Sequence, residues 1–81
     1  MQETESSLQV WVMSTRPHGL TPYPIVVVRA AKGPQRWQAA FYMNDGRLSH
    51  EQHFPRQGFI PREVYNLMRE KAERVMRGEQ I

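Results

Sequence analysis

Asn44-Asp45-Gly46 separates two segments of alternating character, Arg36 to Met43 before it and Arg47 to about Phe54 after it. An Asp-Gly pair tolerates the positive φ angles of a two-residue hairpin turn, so this stretch predicts two antiparallel strands in a defined register. Earlier in the chain, Lys32-Gly33-Pro34 supplies a second reversal. Glycine there admits positive φ, and proline cannot donate to a ladder. The β-branched run from Ile25 to Ala31 therefore doubles back on the Arg36–Met43 strand. Leu8 to Met13 adds a further strand, because Leu8, Val10 and Val12 alternate with Gln9, Trp11 and Met13 at the period of two that a half-buried strand requires. Between these two, Ser14 to Pro24 carries Pro17, Gly19, Pro22 and Pro24, which argue against ladder pairing and predict a loop.

The last third of the chain changes period. Val64, Leu67, Met68, Ala72 and Val75 recur at spacings of three and four and line one stripe of a helix. Pro61 suits the first helical position, where its missing N–H costs nothing. Phe59 is placed to pack on Val64 as a hydrophobic staple, and Gly78 is the expected stop. Glu70 with Arg74, and Glu73 with Arg77, are i,i+4 pairs in the favourable order. The predicted fold is α+β: an antiparallel four-stranded β meander followed by one C-terminal helix packed on one sheet face, β-β-β-β-α. The domain spans residues 8–78, between a flexible N-terminal segment over 1–7 and a tail over 79–81.

With 81 residues, such a domain has room for one modest core, removing about 60% of the unfolded chain's surface from water. Small domains gain further stability from disulfides, metals or a second subunit. The chain has no cysteine, which excludes disulfides and thiolate zinc sites and leaves self-association as a homodimer. The segment Met1 to Ser7 is polar and acidic, without the cationic and apolar regions of a signal peptide. Ile25-Val26-Val27-Val28 falls far short of the ~20 apolar residues that span a bilayer. A cytoplasmic protein with no membrane partner is the expectation.

Formal net charge is +3 and the sequence pI is near 9.8. The distribution says more than the total. Residues 14 to 44 hold Arg16, Arg29, Lys32 and Arg36 and no acid. A polyanion such as nucleic acid suits this stretch.

Catalytic chemistry finds little support. The two histidines of His50-Glu51-Gln52-His53 are spaced i,i+3 after a hairpin turn, whereas a zinc peptidase needs i,i+4 on a helix. On a strand, His50 and His53 point to opposite faces. Ser14, Ser49, His50 and Asp45 are present, but no strand-turn-helix elbow or glycine-rich loop presents them. The sequence therefore predicts no enzyme, no metal site and no cofactor.

Sorting the strands by parity gives two faces. Leu8, Val10, Val12, Val26, Val28, Ala30, Trp37, Ala39, Phe41, Met43 and Leu48 form an apolar face that takes the helix. The opposite face gathers Trp11, Arg29, Arg36, Tyr42 and Arg47 with Gln9, Met13, Ile25, Val27, Gln38, Ala40, Ser49, Glu51 and His53. Aromatic rings among guanidinium groups are what proteins use to stack bases and neutralise phosphates in single-stranded nucleic acid. Trp11 and Tyr42 are the predicted stacking residues, and Arg29, Lys32, Arg36 and Arg47 the predicted phosphate contacts. The alternatives are a protein-binding inhibitor or adaptor module, such as one from a phage or other mobile element, anchored through the same aromatics or the proline-rich loop, and a face that merely closes a dimer.

Val28-Arg29 followed by Lys32-Gly33, then Tyr42-Met43-Asn44-Asp45-Gly46, then Phe59, Pro61, Val64 and Leu67 leading a helix, together resemble the positive cofactor four family of single-stranded-DNA-binding transcription coactivators. Those are small β-β-β-β-α chains that dimerise, and the similarity runs from about residue 26 to 76. Carried over residue by residue, it implies that Arg29, Lys32 and Arg56 touch phosphate. This chain departs from the family in two places: Trp37 to Met43 lacks basic residues, and the glycine of Arg56-Gln57-Gly58 is displaced toward the proline.

Overall fold

The structure is a computed structural model that describes residues 7–78. The flexible segment expected over residues 1–7 and the tail over 79–81 lie, apart from Ser7, outside the described residues. Strands β1 (Gln9–Arg16), β2 (Ile25–Lys32), β3 (Gln35–Asn44) and β4 (Arg47–Phe54) form one antiparallel sheet in the order β1-β2-β3-β4, and helix α1 (Arg62–Met76) follows. The predicted α+β meander with one C-terminal helix is the observed fold.

Both hairpin turns follow from their residues. Asp45 and Gly46 take φ of 54° and 78°, the pair of positive angles of a type I′ turn, and they bring Asn44 opposite Arg47. Gly33 takes φ of 59° and brings Lys32 opposite Gln35, with the locked negative φ of Pro34 completing the reversal.

The helix covers the predicted face. Val26, Val28, Ala30, Ala39 and Phe41 are fully buried from the sheet side, and Met68 and Ala72 from the helix side. Leu8, Val10, Val12, Met43 and Leu48 pack around them half-buried. The buried row of the helix is Val64, Met68, Ala72 and Met76, spaced by four. Leu67, expected in this stripe, is instead 44% exposed. The helix lies over β1 and β2, and that placement turns its i,i+4 row into the sheet and leaves Leu67 on the flank. Glu73 meets Arg69 at 3.5 Å along the helix face.

Three local readings are corrected. Pro61 is the residue before the helix, its carbonyl accepting from Tyr65 N at 2.8 Å, so the helix begins at Arg62. Phe59 is no staple: it is 94% exposed, and Ile60 makes the core contact. Ser14, Thr15 and Arg16 are strand, paired with Val27, Val26 and Ile25. The prolines that end pairing begin only at Pro17. At the other end of the helix, Gly78 provides the expected stop, with φ of 87° and its N–H donated to Val75 O.

Both outer strands carry a bulge. The β1–β2 register slips between Val12 and Ser14, and the β3–β4 register slips between Gln38 and Ala39, where His53 is the extra residue. An extra residue inverts the parity of everything beyond it. Ser14 and Arg16 thereby pass to the side away from the helix, and so does Phe54.

Candidate nucleic-acid interface

The register lines up one row across all four strands on the side away from the helix: Trp11 opposite Arg29, Arg29 opposite Gln38, and Gln38 opposite Phe54. Arg29 Nε donates to Gln38 Oε1 at 2.8 Å, which holds the guanidinium between the two rings. Trp11 is 39% exposed and Phe54 52%. With Arg36, these four residues line a shallow cleft of about 240 Å³, below the ~300 Å³ at which drug-sized pockets begin. Arg36 folds back over the neighbouring hairpin turn, donating through Nη1 to the carbonyls of Gly33 and Gln35.

A second group sits at the other end of the same face. Tyr42 is opposite Ser49, Arg16 is opposite Ile25, and Arg47 flanks the type I′ turn. The proline-rich loop reaches over this end, bringing the His18 ring to 6.1 Å from Tyr42. Side chains order that loop. His18 Nδ1 accepts from Leu20 N, and Thr21 Oγ1 both accepts from Tyr23 N and donates to Tyr23 O. Leu20 protrudes from it, 88% exposed.

Trp11 and Tyr42, both predicted to stack, do not share a pocket. Four residues of strand separate their rows, about 13 Å at ~3.3 Å per residue. Trp11 is partnered across the cleft by Phe54, and Tyr42 by His18. Between the two ends, Val27 and Ala40 are buried to 8% and 4% exposure, with Ser14 and Glu51 beside them. Glu51 is the one acidic residue in the four strands, and it lies 4.0 Å from His53.

Of the predicted site residues, Trp11, Arg29, Arg36, Tyr42 and Arg47 do lie on this face. Alternation puts Lys32 on the helix side, at the tip of the β2–β3 hairpin. Arg56 is exposed in the loop after β4, beside Glu51, Gln52 and His53. The structure adds Phe54 and Arg16, which strict alternation assigns to the opposite side and the two bulges bring across.

His50 faces the helix side. Its ring packs at a tilt against Phe41 and edge-on against Tyr65, and its Nδ1 lies 3.1 Å from the Tyr65 hydroxyl. His53 belongs to the bulge, so the two histidines share no ligand position. Among the described residues no group of three or more His, Asp or Glu side chains is placed to hold a metal ion, and no helix is long and apolar enough to cross a membrane. The chain matches no protein family, no curated protein and no solved structure.

Proposed function

We propose that this protein is a non-enzymatic binder of single-stranded nucleic acid, acting as a homodimer through the sheet face that the helix leaves uncovered. The row Trp11–Arg29–Gln38–Phe54 carries the reading. Two exposed rings flank a guanidinium that is fixed by a hydrogen bond, with Arg36 at the rim. Aromatic faces accept any base, at ~1–3 kcal/mol per stacked base, and the guanidinium groups meet the phosphates between bases. Arg16 and Arg47 extend the same electrostatic track along the strands toward Tyr42. Four arginines against the single Glu51 keep the face positive. The cleft is too small and too open to enclose a drug-sized ligand, and it suits a ring laid on an exposed track. The resemblance to the positive cofactor four family points the same way.

Fluorescence anisotropy with labelled DNA and RNA single strands tests the proposal. Binding is expected at low salt, with the affinity falling as salt rises. Arg29→Ala and Arg36→Ala should each reduce the slope of log K against log salt by about 0.7. A dissociation constant weaker than about 100 μM in about 50 mM salt for both kinds of strand overturns it.

One observation favours a second reading. Leu20 and Tyr23 stand out of the proline-rich loop, 88% and 41% exposed, as anchors for a partner protein would. Loss of partner recovery from lysate on Leu20→Ala, unchanged by nuclease, selects that reading instead.

A further inference from the structure

We propose that the outer edge of β4 joins two copies of this chain, antiparallel about a two-fold axis at Ser49, so that Arg47 of each copy faces Glu51 of the other. This rests on the dimer part of the reading above and makes no use of nucleic acid.

A sheet edge offers unpaired N–H and C=O groups to any strand that can reach them, and proteins blunt edges with bulges, prolines, charges or covering elements. The two edges here are treated differently. β1 is bulged in mid-strand at Met13, is followed directly by Pro17, and has the helix packed against it. β4 pairs regularly with β3 from Arg47 to Gln52 before its bulge at His53. The helix lies over β1 and β2, so the helix side of β4 has only a groove, lined by His50, Gln52, Phe59, Ile60 and Tyr65. Phe59, 94% exposed, forms its outer lip.

Strand geometry then selects the register. Asn44 and Arg47 flank a two-residue turn and exchange hydrogen bonds with each other. Alternation therefore directs the backbone groups of Arg47, Ser49 and Glu51 toward β3, and those of Leu48, His50 and Gln52 outward. Arg47 and Glu51 lie on the same face, four residues apart on one strand, too far to pair with each other. Among the described residues Arg47 has no ion pair, and Glu51 meets only His53.

An axis at Ser49 sets Leu48 opposite His50 of the second copy, where the outward backbone groups bond. It also makes two Arg47–Glu51 pairs at positions where cross-strand side chains come closest. An axis at His50 would face that histidine with itself and leave Glu51 against Ser49. An axis at Glu51 would oppose two carboxylates. The Ser49 axis also brings Leu48 of the second copy beside His50, next to the Phe59 groove. The contact is isologous and closed, and it yields one eight-stranded sheet. It neutralises the one acid of the basic face with a guanidinium from the second copy.

Ser49→Cys in the full chain tests this directly, because the protein has no other cysteine. A residue on the axis meets itself at a Cα separation of about 4.5 Å, within the ~4.4–6.8 Å that a disulfide spans. Mild oxidation with oxidised glutathione should give a disulfide-linked dimer, whereas Ser14→Cys on the β1 edge should stay monomeric on a denaturing gel. In sedimentation velocity, Arg47→Glu should weaken the dimer about tenfold or more by opposing like charges twice, and the swap Arg47→Glu with Glu51→Arg should restore it to within about threefold. A wild-type dimer that links through Ser14→Cys but not Ser49→Cys, or that is indifferent to Arg47→Glu, overturns the β4 edge and leaves the nucleic-acid reading standing. A wild-type monomer at about 100 μM overturns both the edge and the dimer. Failure of strand binding in anisotropy leaves the edge untouched.

Discussion

On the helix side of this sheet Val26, Val28, Ala39 and Phe41 are fully buried because a 15-residue helix lies over them. On the other side Val27 and Ala40 are almost as buried, yet among the described residues no second layer of secondary structure covers them. They are small, and they lie low between rows of longer side chains, Trp11, Arg29 and Gln38 at one end and Arg16 and Tyr42 at the other. Burial on the first side comes from a layer, and on the second from the reach of neighbours. The first arrangement constrains volume. The second constrains only the floor and leaves the chemistry of the walls open, and that is where the rings and guanidinium groups stand.

The sharpest way to break this contrast is to remove volume on each side in turn. Phe41→Ala opens a cavity beneath the helix and should cost about 3–5 kcal/mol, a large share of the ~5–15 kcal/mol that stabilises a domain. Urea unfolding should show a midpoint lowered by about 1–5 M. Trp11→Ala removes a ring that is already 39% exposed. It should weaken strand binding by about 1–3 kcal/mol in anisotropy while lowering folding stability by only about 2 kcal/mol, less than the loss at Phe41. Comparable unfolding losses from the two variants would mean that the uncovered face is core. The smallest effect is expected at Phe59. Exposed at the groove lip and clear of Val64, it should change the stability of the monomer by less than about 0.5 kcal/mol on mutation to alanine. A loss near 1.5 kcal/mol in thermal melts of dilute protein would restore it as a staple.

Much of this architecture was legible residue by residue. Asp45-Gly46 and Gly33-Pro34 name their turns, because few residues accept the positive φ that two-residue hairpins need. The alternation in β2 and β3 places Val26, Val28, Trp37, Ala39 and Phe41 on one side and Arg29 and Tyr42 on the other, as found. The candidate site was legible only in part. Phe54 and Arg16 were missed because each lies beyond a bulge. Neither Met13 nor His53 carries the glycine or proline that would have advertised an irregular strand. Phe59 and Leu67 were misjudged for another reason: apolar character marks a candidate for burial, but whether a neighbour arrives to cover it depends on where the helix comes to rest.

The amino-acid order by itself determined the local geometry, namely two hairpin turns, four strands with two central ones in phase, one C-terminal helix and a basic stretch free of acids. These are properties of single residues and their nearest neighbours, set by allowed φ angles and side-chain periodicity. Only the tertiary structure decided that the helix would lie over β1 and β2, that both outer strands would slip by one residue, and hence which ring and which guanidinium would meet across the uncovered face. A slip in register is settled by the pairing and packing of the whole strand against its neighbour, and no single residue encodes that balance.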